Sequence, residues 1–294
     1  MALTGGRGTA TFGLTREDTK LKAPPFAYVR ARSQDELFAL LAEHGDEARI
    51  LAGGQSLIAS LNLRLSEPRV LVDITHLDGL AGIAVAGGVL TIGALARHAD
   101  IERSALVAAH APLLAQAVRH VAHPAIRNRG TIGGSLCLND PAAEYPACAV
   151  AVGATLLLRG ADGARRVPAA AFFQGIYATG LRAGEMLEAV EIPVRQEAER
   201  SVFLELARRH GDYAMVGLAV HGRPGAPRCV FLAVGNGPVL ARRAAEAFAS
   251  GGTAAAQDAL ADDLDPPGDL NASPATRLHL ARVLLGRALK GFDA

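Results

Sequence analysis

The sequence predicts an α+β protein, and three observations carry that prediction. Apolar runs of strand length and segments of helical period follow one another without the regular alternation of a βαβα fold. Toward the C-terminus, three β-rich runs, "SVFLELARR", "YAMVGLAVHG" and "RCVFLAVGN", precede helical patterns at about 241–250, 253–263 and 274–290. The 294 residues are 50% hydrophobic and 20% charged. That is enough apolar material for a substantial core, and the length suggests about two domains.

Taken in order, residues 1–21, "MALTGGRGTATFGLTREDTKL", are Gly/Thr-rich and aperiodic and read as a flexible N-terminal extension. Pro24-Pro25 forces an extended entry, and "FAYVRA" reads as a short strand. Ser33 is a candidate N-cap, with Glu36 completing a capping box. The helix "QDELFALLAEHG" places Leu37, Leu40 and Leu41 on one face and stops at Gly45. "ARILAGG" and "RVLVDI" (69–74) read as strands, so residues 26–74 make a β-α-β-β unit. "AGIAVAGGVLTIGAL" reads as a hairpin turning at Gly87-Gly88.

"ADIERS" and "PLLAQAVRHVA" read as helices, the second ending before Pro124, and "HPAIRNRG" reads as a loop. "AAEYPACAVAVG" reads as a helix. "ATLLLRGADGARRVPA" reads as a hairpin turning at 161–163, and "FFQGIYATGLRAGEMLEAVEIP" as a loop and then a strand closing at Pro193. The charged, polar residues 194–200 read as a linker before the C-terminal strands and helices.

Composition excludes several classes. Net charge is +1, and Lys20, Lys22 and Lys290 are the only lysines. The arginines are interleaved with acids, so the chain lacks the basic footprint of a nucleic-acid binder. Cys137, Cys148 and Cys229 form no C-x-x-C pair and have no histidine at ligand spacing, so no zinc or iron–sulfur site is expected on this chain. Free, scattered cysteines fit a reducing cytoplasm. There is no run of 18 apolar residues and no signal-peptide pattern. His120 and His123 stand at i, i+3, but Pro124 follows at once and no partners lie near, so they read as structural or surface residues. No G-x-G-x-x-G follows a strand and no P-loop occurs.

Two stretches call for another explanation. "LAGGQSL" (51–57) and "RGTIGGSLCLNDP" (129–141) each place a glycine pair after a short apolar segment, with Ser56 or Ser135 within two residues. A single Gly-Gly is most simply a turn, as at Gly87-Gly88. Two alike suggest a pair of bends whose unobstructed backbone N–H groups clasp a pyrophosphate from both sides. That arrangement would suit a dinucleotide cofactor in a lysine-poor protein.

With "ILAGGQSLIASLNLRLSEPRVLVDI", "LTIGALARHADI", "HPAIRNRGTIGGSLCLNDPAAEYPA", "FFQGIYATGLRAGEMLEAVEIP" and "ARRHGDYAMVGLAV" in this order, the chain resembles the FAD-binding medium subunit of the molybdenum hydroxylases. That family includes carbon monoxide and xanthine dehydrogenases. The resemblance runs from about Lys22 to the C-terminus. It implies a vanillyl-alcohol-oxidase/PCMH-like FAD domain over 22–197, with subdomains of about 22–76 and 77–197. A C-terminal domain over 198–294 would pack a small antiparallel sheet with helices.

The resemblance also implies a site. Leu51, Ala52, Gly53, Gly54, Gln55, Ser56, Leu57 and Ile58 match the first FAD loop, and Thr131, Ile132, Gly133, Gly134 and Ser135 match the second. Glu144 matches an acidic position expected at a ribose hydroxyl, and Asp140 joins it. Leu187 and Tyr213 match residues expected against the flavin ring. Some members carry a lysine where this chain has Glu205, which is therefore left out of the site.

In function, the resemblance implies an oxidoreductase subunit; with no Ser-His-Asp arrangement and nine scattered histidines, no catalytic acid or base for the organic substrate is expected on this chain. A partner large subunit would bind molybdopterin, and a partner small subunit would hold two [2Fe-2S] clusters. The assembly would be a heterotrimer or its dimer, passing electrons through FAD to an external acceptor. Two other readings compete: a stand-alone FAD-dependent oxidoreductase acting directly on a small organic substrate, and a non-catalytic assembly subunit that has lost FAD.

Overall fold

The computed structural model describes residues 22–292, so the extension expected over 1–21 lies outside the described residues. The first unit runs β1 (Ala27–Arg30), α1 (Gln34–His44), β2 (Ala48–Leu51), α2 (Leu57–Asn62) and β3 (Val70–Asp73). Its strands form a parallel sheet in the order β1-β3-β2, with Val72 opposite both Val29 and Ile50. All four residues of β3 are buried, as a central parallel strand requires.

Ser33 caps α1, its hydroxyl accepting from the Glu36 amide at 3.1 Å. The Glu36 carboxylate reaches back to the Arg32 amide at 2.7 Å, one residue beyond the N-cap amide of a capping box. Gly45 ends the helix at φ 50°. Leu37 and Leu41 are buried together with Phe38, while Leu40 is half-buried at the edge of that cluster. The β-α-β-β expectation is corrected by α2, which turns the first glycine stretch into a strand-to-helix connection.

The second unit holds β4 (Ile83–Ala86), β5 (Val89–Gly93), α3 (His98–Arg103), α4 (Ala105–His110), α5 (Pro112–Ala117), α6 (Pro124–Arg127), α7 (Ile132–Leu138) and α8 (Glu144–Ala151). It continues with β6 (Thr155–Gly160), β7 (Gly163–Pro168), α9 (Ala169–Phe172), β8 (Phe173–Gly175), β9 (Ala178–Thr179) and β10 (Met186–Pro193). The main sheet is antiparallel in the order β4-β5-β10-β6-β7. Gly87 and Gly88, at φ 56° and 77°, make the left-handed two-residue turn that suits the twist of a hairpin. Three expectations change here. The helix at 112 ends at Ala117, the 123–130 loop contains the single turn α6, and the second glycine stretch is the start of α7.

The last unit comprises β11 (Arg200–Ala207), β12 (Ala214–Arg223), β13 (Ala226–Leu232), β14 (Val239–Leu240), α10 (Arg242–Ala259) and α11 (Pro274–Leu289). Its antiparallel sheet runs in that strand order. Both faces are covered, and the two-residue period sorts the side chains. Val216, Leu218 and Val220 pack with Phe248, Leu284 and Leu285 of α10 and α11. Ala219, Val230 and Leu232 join the core that contains Tyr145 and Cys148 of α8. Gly252, at φ 72°, breaks α10 where two helices are expected.

Side-chain links fasten this sheet to the preceding unit. Gln116 of α5 donates to the Ser201 carbonyl at 3.1 Å and accepts from the Phe203 amide at 2.9 Å. The Ala233 amide donates to the Pro141 carbonyl at 2.8 Å. Among the described residues no helix is long and apolar enough to cross a membrane.

Candidate cofactor-binding site

The site starts from the parallel ends of β2 and β3. The Ile74 amide donates to the Leu51 carbonyl at 3.0 Å, fixing where the first glycine stretch leaves the sheet. Beside it Asp73, 5% exposed, accepts from the Thr75 amide at 2.8 Å and the Thr75 hydroxyl at 2.6 Å. Asp73 also accepts from the Tyr28 hydroxyl and pairs with Arg30 at 3.8 Å. Burial opposes the Asp73 charge, but the bonds from Thr75 and Tyr28 outweigh it and hold the carboxyl below its usual pKa.

From this floor the chain turns through Gly54 at φ 73°, a conformation that favours glycine. The Gln55 side-chain amide donates to the Gly53 carbonyl at 3.0 Å and closes the bend on itself. Among the described residues, the backbone amides of Gly53, Gly54, Gln55 and Ser56 donate to no acceptor. Four such donors in sequence are a ready-made anion cradle.

The second stretch lies directly against the first. A β-carbon on Gly53 would overlap the Arg129 carbonyl oxygen and stand 2.8 Å from Gly130 Cα. The two stretches are not equivalent, however, and the expectation of two free-amide cradles is corrected. Thr131 caps α7, its hydroxyl accepting from the Gly134 amide at 3.1 Å. The Ile132 and Gly133 amides donate to the carbonyls of Ala96 at 3.0 Å and Ala94 at 2.9 Å, and the Ser135 amide to Thr131 at 3.1 Å.

Gly133 is small because α7 starts hard against Ala94, whose Cβ and O would lie 2.6 Å from an added β-carbon. Gly134 has no such reason. It is exposed, its φ is not left-handed, and an added β-carbon would meet only Thr131 Oγ1, at 3.1 Å. An exposed glycine with a single tight neighbour, in the stretch whose start packs against Gly53, fits the close approach of a phosphate-bearing cofactor.

The remaining candidates sit farther along. Asp140 closes a turn by accepting from the Ala142 amide at 2.9 Å, and the Tyr177 hydroxyl lies 3.5 Å from its other oxygen. Glu144 opens α8; burial, with a smaller push from the Asp140 charge, raises it to about 7. Near neutrality it therefore exists both as an acceptor and as a donor, and a ribose diol can pair with either. Tyr213 is 76% exposed, and partial burial of its hydroxyl with the charges of Asp140 and Glu144 raises its pKa, which places it beside these carboxyls.

Leu187 is 3% exposed in the core and does not line the cavity at the first glycine stretch. Its backbone bonds the Cys137 thiol instead. Glu205, set aside from sequence, is electrostatically coupled to the site. Burial and then the charge of Glu144 raise it to about 8, and its Oε2 is buried without a hydrogen-bond partner.

A cavity of about 660 Å³ opens over the first stretch, lined by Leu51, Ala52, Gly53, Gly54, Gln55 and Ile58. Tyr28, Arg30, Asp73, Thr75, His76 and Arg129 complete much of its wall and are not singled out by the sequence pattern. Arg129 could have been, since it begins the quoted second stretch. The others come from β1 and from the end of β3, the strand between β1 and β2, and carry no local signal. The histidine pair read as structural or surface residues lies away from this cavity: His120 packs against Phe203 with ring centroids 5.2 Å apart and tilted by 54°, and exposed His123 lies against Gly211.

Comparison with known proteins bears directly on this geometry. Residues 24–195 match the family described as "FAD binding domain in molybdopterin dehydrogenase", and residues 201–292 match "CO dehydrogenase flavoprotein C-terminal domain". The chain belongs to this flavoprotein family. Over 280 residues it is 36% identical to the 6-hydroxypseudooxynicotine dehydrogenase complex subunit alpha of Paenarthrobacter nicotinovorans, covering 92% of this chain and 95% of that protein. It is 35% identical over 276 residues to the carbon monoxide dehydrogenase medium chain of Hydrogenophaga pseudoflava, covering 90% and 96%.

Among solved structures, carbon monoxide dehydrogenase from Hydrogenophaga pseudoflava superposes with a TM-score of 0.88 at 34% identity, covering 92% of this chain and 98% of that one. Quinoline 2-oxidoreductase from Pseudomonas putida 86 gives 0.86 at 37%, covering 92% and 97%. The chain is thus an FAD-binding oxidoreductase subunit of the molybdenum hydroxylase family.

Proposed function

We propose that this chain is the electron-transfer medium subunit of a cytoplasmic heteromeric molybdenum hydroxylase. Its partners would be a molybdopterin-binding large subunit and a small subunit with two [2Fe-2S] clusters, in a heterotrimer or its dimer. Residues 22–197 form the FAD-binding domain and 198–294 the C-terminal domain. The observation that carries this reading is the family match on both sides of the polar run at 194–200, joined to the apposition of the two glycine stretches.

Bound FAD supplies the redox chemistry, linking the partner clusters to an external acceptor such as NAD+, a quinone, a cytochrome or oxygen. This chain's residues bind and orient it. The free amides of Gly53, Gly54, Gln55 and Ser56 hold the pyrophosphate, with Leu51, Ala52, Leu57 and Ile58 shaping the same bend. Thr131, Ile132 and Gly133 anchor the start of α7, so that Gly134 and the Ser135 hydroxyl face the cofactor. Glu144, supported by Asp140, takes a ribose hydroxyl. Tyr213 would border the flavin ring, with Leu187 in the core behind it.

The test is reduction of bound flavin by organic substrates, with and without partners. The purified chain alone should keep its flavin oxidised in the presence of substrates that reduce it in the assembled complex. Reduction of the isolated chain by a small organic substrate would show a stand-alone flavoenzyme instead.

A further inference from the structure

We propose that the Arg129 guanidinium is the cationic contact for the FAD pyrophosphate, reaching it across the cavity from the second glycine stretch. This rests on the reading of the site above and adds to it a residue that the glycine pattern does not contain.

Arg129 is placed by its own backbone. Its carbonyl oxygen packs against Gly53, so its Cα is fixed at the junction of the two stretches. Arg129 lines the same cavity as Gly53, Gly54 and Gln55, and the residue is exposed. Among the described residues that guanidinium has no hydrogen-bond or ion-pair partner.

The neighbouring arginines are engaged. Arg30, on the cavity wall, pairs with Asp73. Arg127, two residues away, bonds Glu102 at 3.0 Å and the carbonyls of Val121 and Ala122 at 3.1 and 3.2 Å. Arg129 is therefore the cavity's one guanidinium without a partner among the described residues.

The charge balance points the same way. A pyrophosphate diester brings two negative charges. The amides of Ile132 to Ser135 are already donated within the chain, so α7 offers it no free backbone cradle. The first stretch supplies neutral donors only. Asp73, the carboxylate on this wall, already holds Arg30 and the hydroxyls of Tyr28 and Thr75. An unpaired, planar, permanently charged donor on the remaining side matches two phosphate oxygens at once.

The test uses the full chain freed of flavin and titrated with FAD, read by quenching of flavin fluorescence. Arg129→Gln should raise the FAD Kd by about 10- to 100-fold, the range expected for loss of a charged hydrogen-bonding partner. It should also flatten the dependence of Kd on salt and weaken competition by inorganic pyrophosphate. Arg129→Lys should recover part of all three. Since Arg129 is exposed and its side chain bonds no described residue, both variants should keep the wild-type melting temperature and circular dichroism.

Gly134→Asp separates the two claims. If Gly134→Asp loses FAD while Arg129→Gln binds within twofold of wild type with an unchanged salt slope, the site stands and the role of Arg129 is overturned. If both variants bind FAD as wild type does, the site itself has been misplaced.

Discussion

Gly53 and Arg129 occupy adjoining space, with no room for a single carbon between the Gly53 α-carbon and the Arg129 carbonyl oxygen. The contact joins two segments 76 residues apart. It follows that Gly53→Ala must push the stretches apart. Overpacking of this kind costs about 1–3 kcal/mol, so a Tm lower by several degrees is expected. Flavin content after gel filtration should fall with it.

Gly134 should behave in the opposite way toward stability. It is helical and exposed, and a β-carbon there meets only the Thr131 hydroxyl. Replacing a helical glycine by alanine stabilises by roughly 0.5–1 kcal/mol. Gly134→Ala should therefore leave the apo-chain as stable or slightly more so while weakening FAD binding. Gly134→Asp should abolish FAD retention without unfolding the chain, checked by the flavin absorbance of the purified protein. Loss of fold in Gly134→Asp together with retained FAD in Gly134→Ala would contradict the assignment of this face.

The buried carboxyls make stability depend on pH. Burial first, then neighbouring carboxylates, raises Glu144 from 4.5 to about 7 and Glu205 from 4.5 to about 8. Their contribution is fully present below the unfolded value and is lost as pH rises through the folded values, because the folded chain holds protons the unfolded chain has released. A tenfold difference in proton affinity between the two states corresponds to about 1.4 kcal/mol. The apo-chain should melt several degrees higher at pH 5 than at pH 8.5, and Glu205→Gln should flatten that slope. A slope unchanged by the substitution would show that Glu205 titrates normally.

The cysteines should be unreactive. Burial pushes the Cys137 and Cys229 thiols up to about 12, and Cys148 is raised by burial and by the charges of Glu144 and Glu205. The thiolate is the reactive form. Iodoacetamide at neutral pH should label none of the three in the folded chain and all three after unfolding, as counted by mass spectrometry.

Local signals in the sequence carry into the structure where short-range geometry decides. The Gly87-Gly88 turn, the Ser33 cap and the break at Gly252 all follow from residues a few positions apart. The short helices α2, α4 and α6 span six, six and four residues, too few for a helical period to show. The start of α7 is hidden in the sequence because Gly133-Gly134 suggests a bend. The fold uses Gly133 to pass Ala94 and lets Thr131 cap the helix. The apposition of the two glycine stretches in the candidate site is legible in the sequence, but not which amides remain free, since that depends on Ala94 and Ala96 from a distant strand end. Nor does the sequence show that Leu187 turns into the core while Tyr213 stands exposed.

A crystal structure of the FAD-loaded complex tests the cofactor site most directly. The pyrophosphate should lie within hydrogen-bonding distance of the Gly53–Ser56 amides and against Gly134. A pyrophosphate bound elsewhere, or those two stretches parted and open to water, would contradict the assignment.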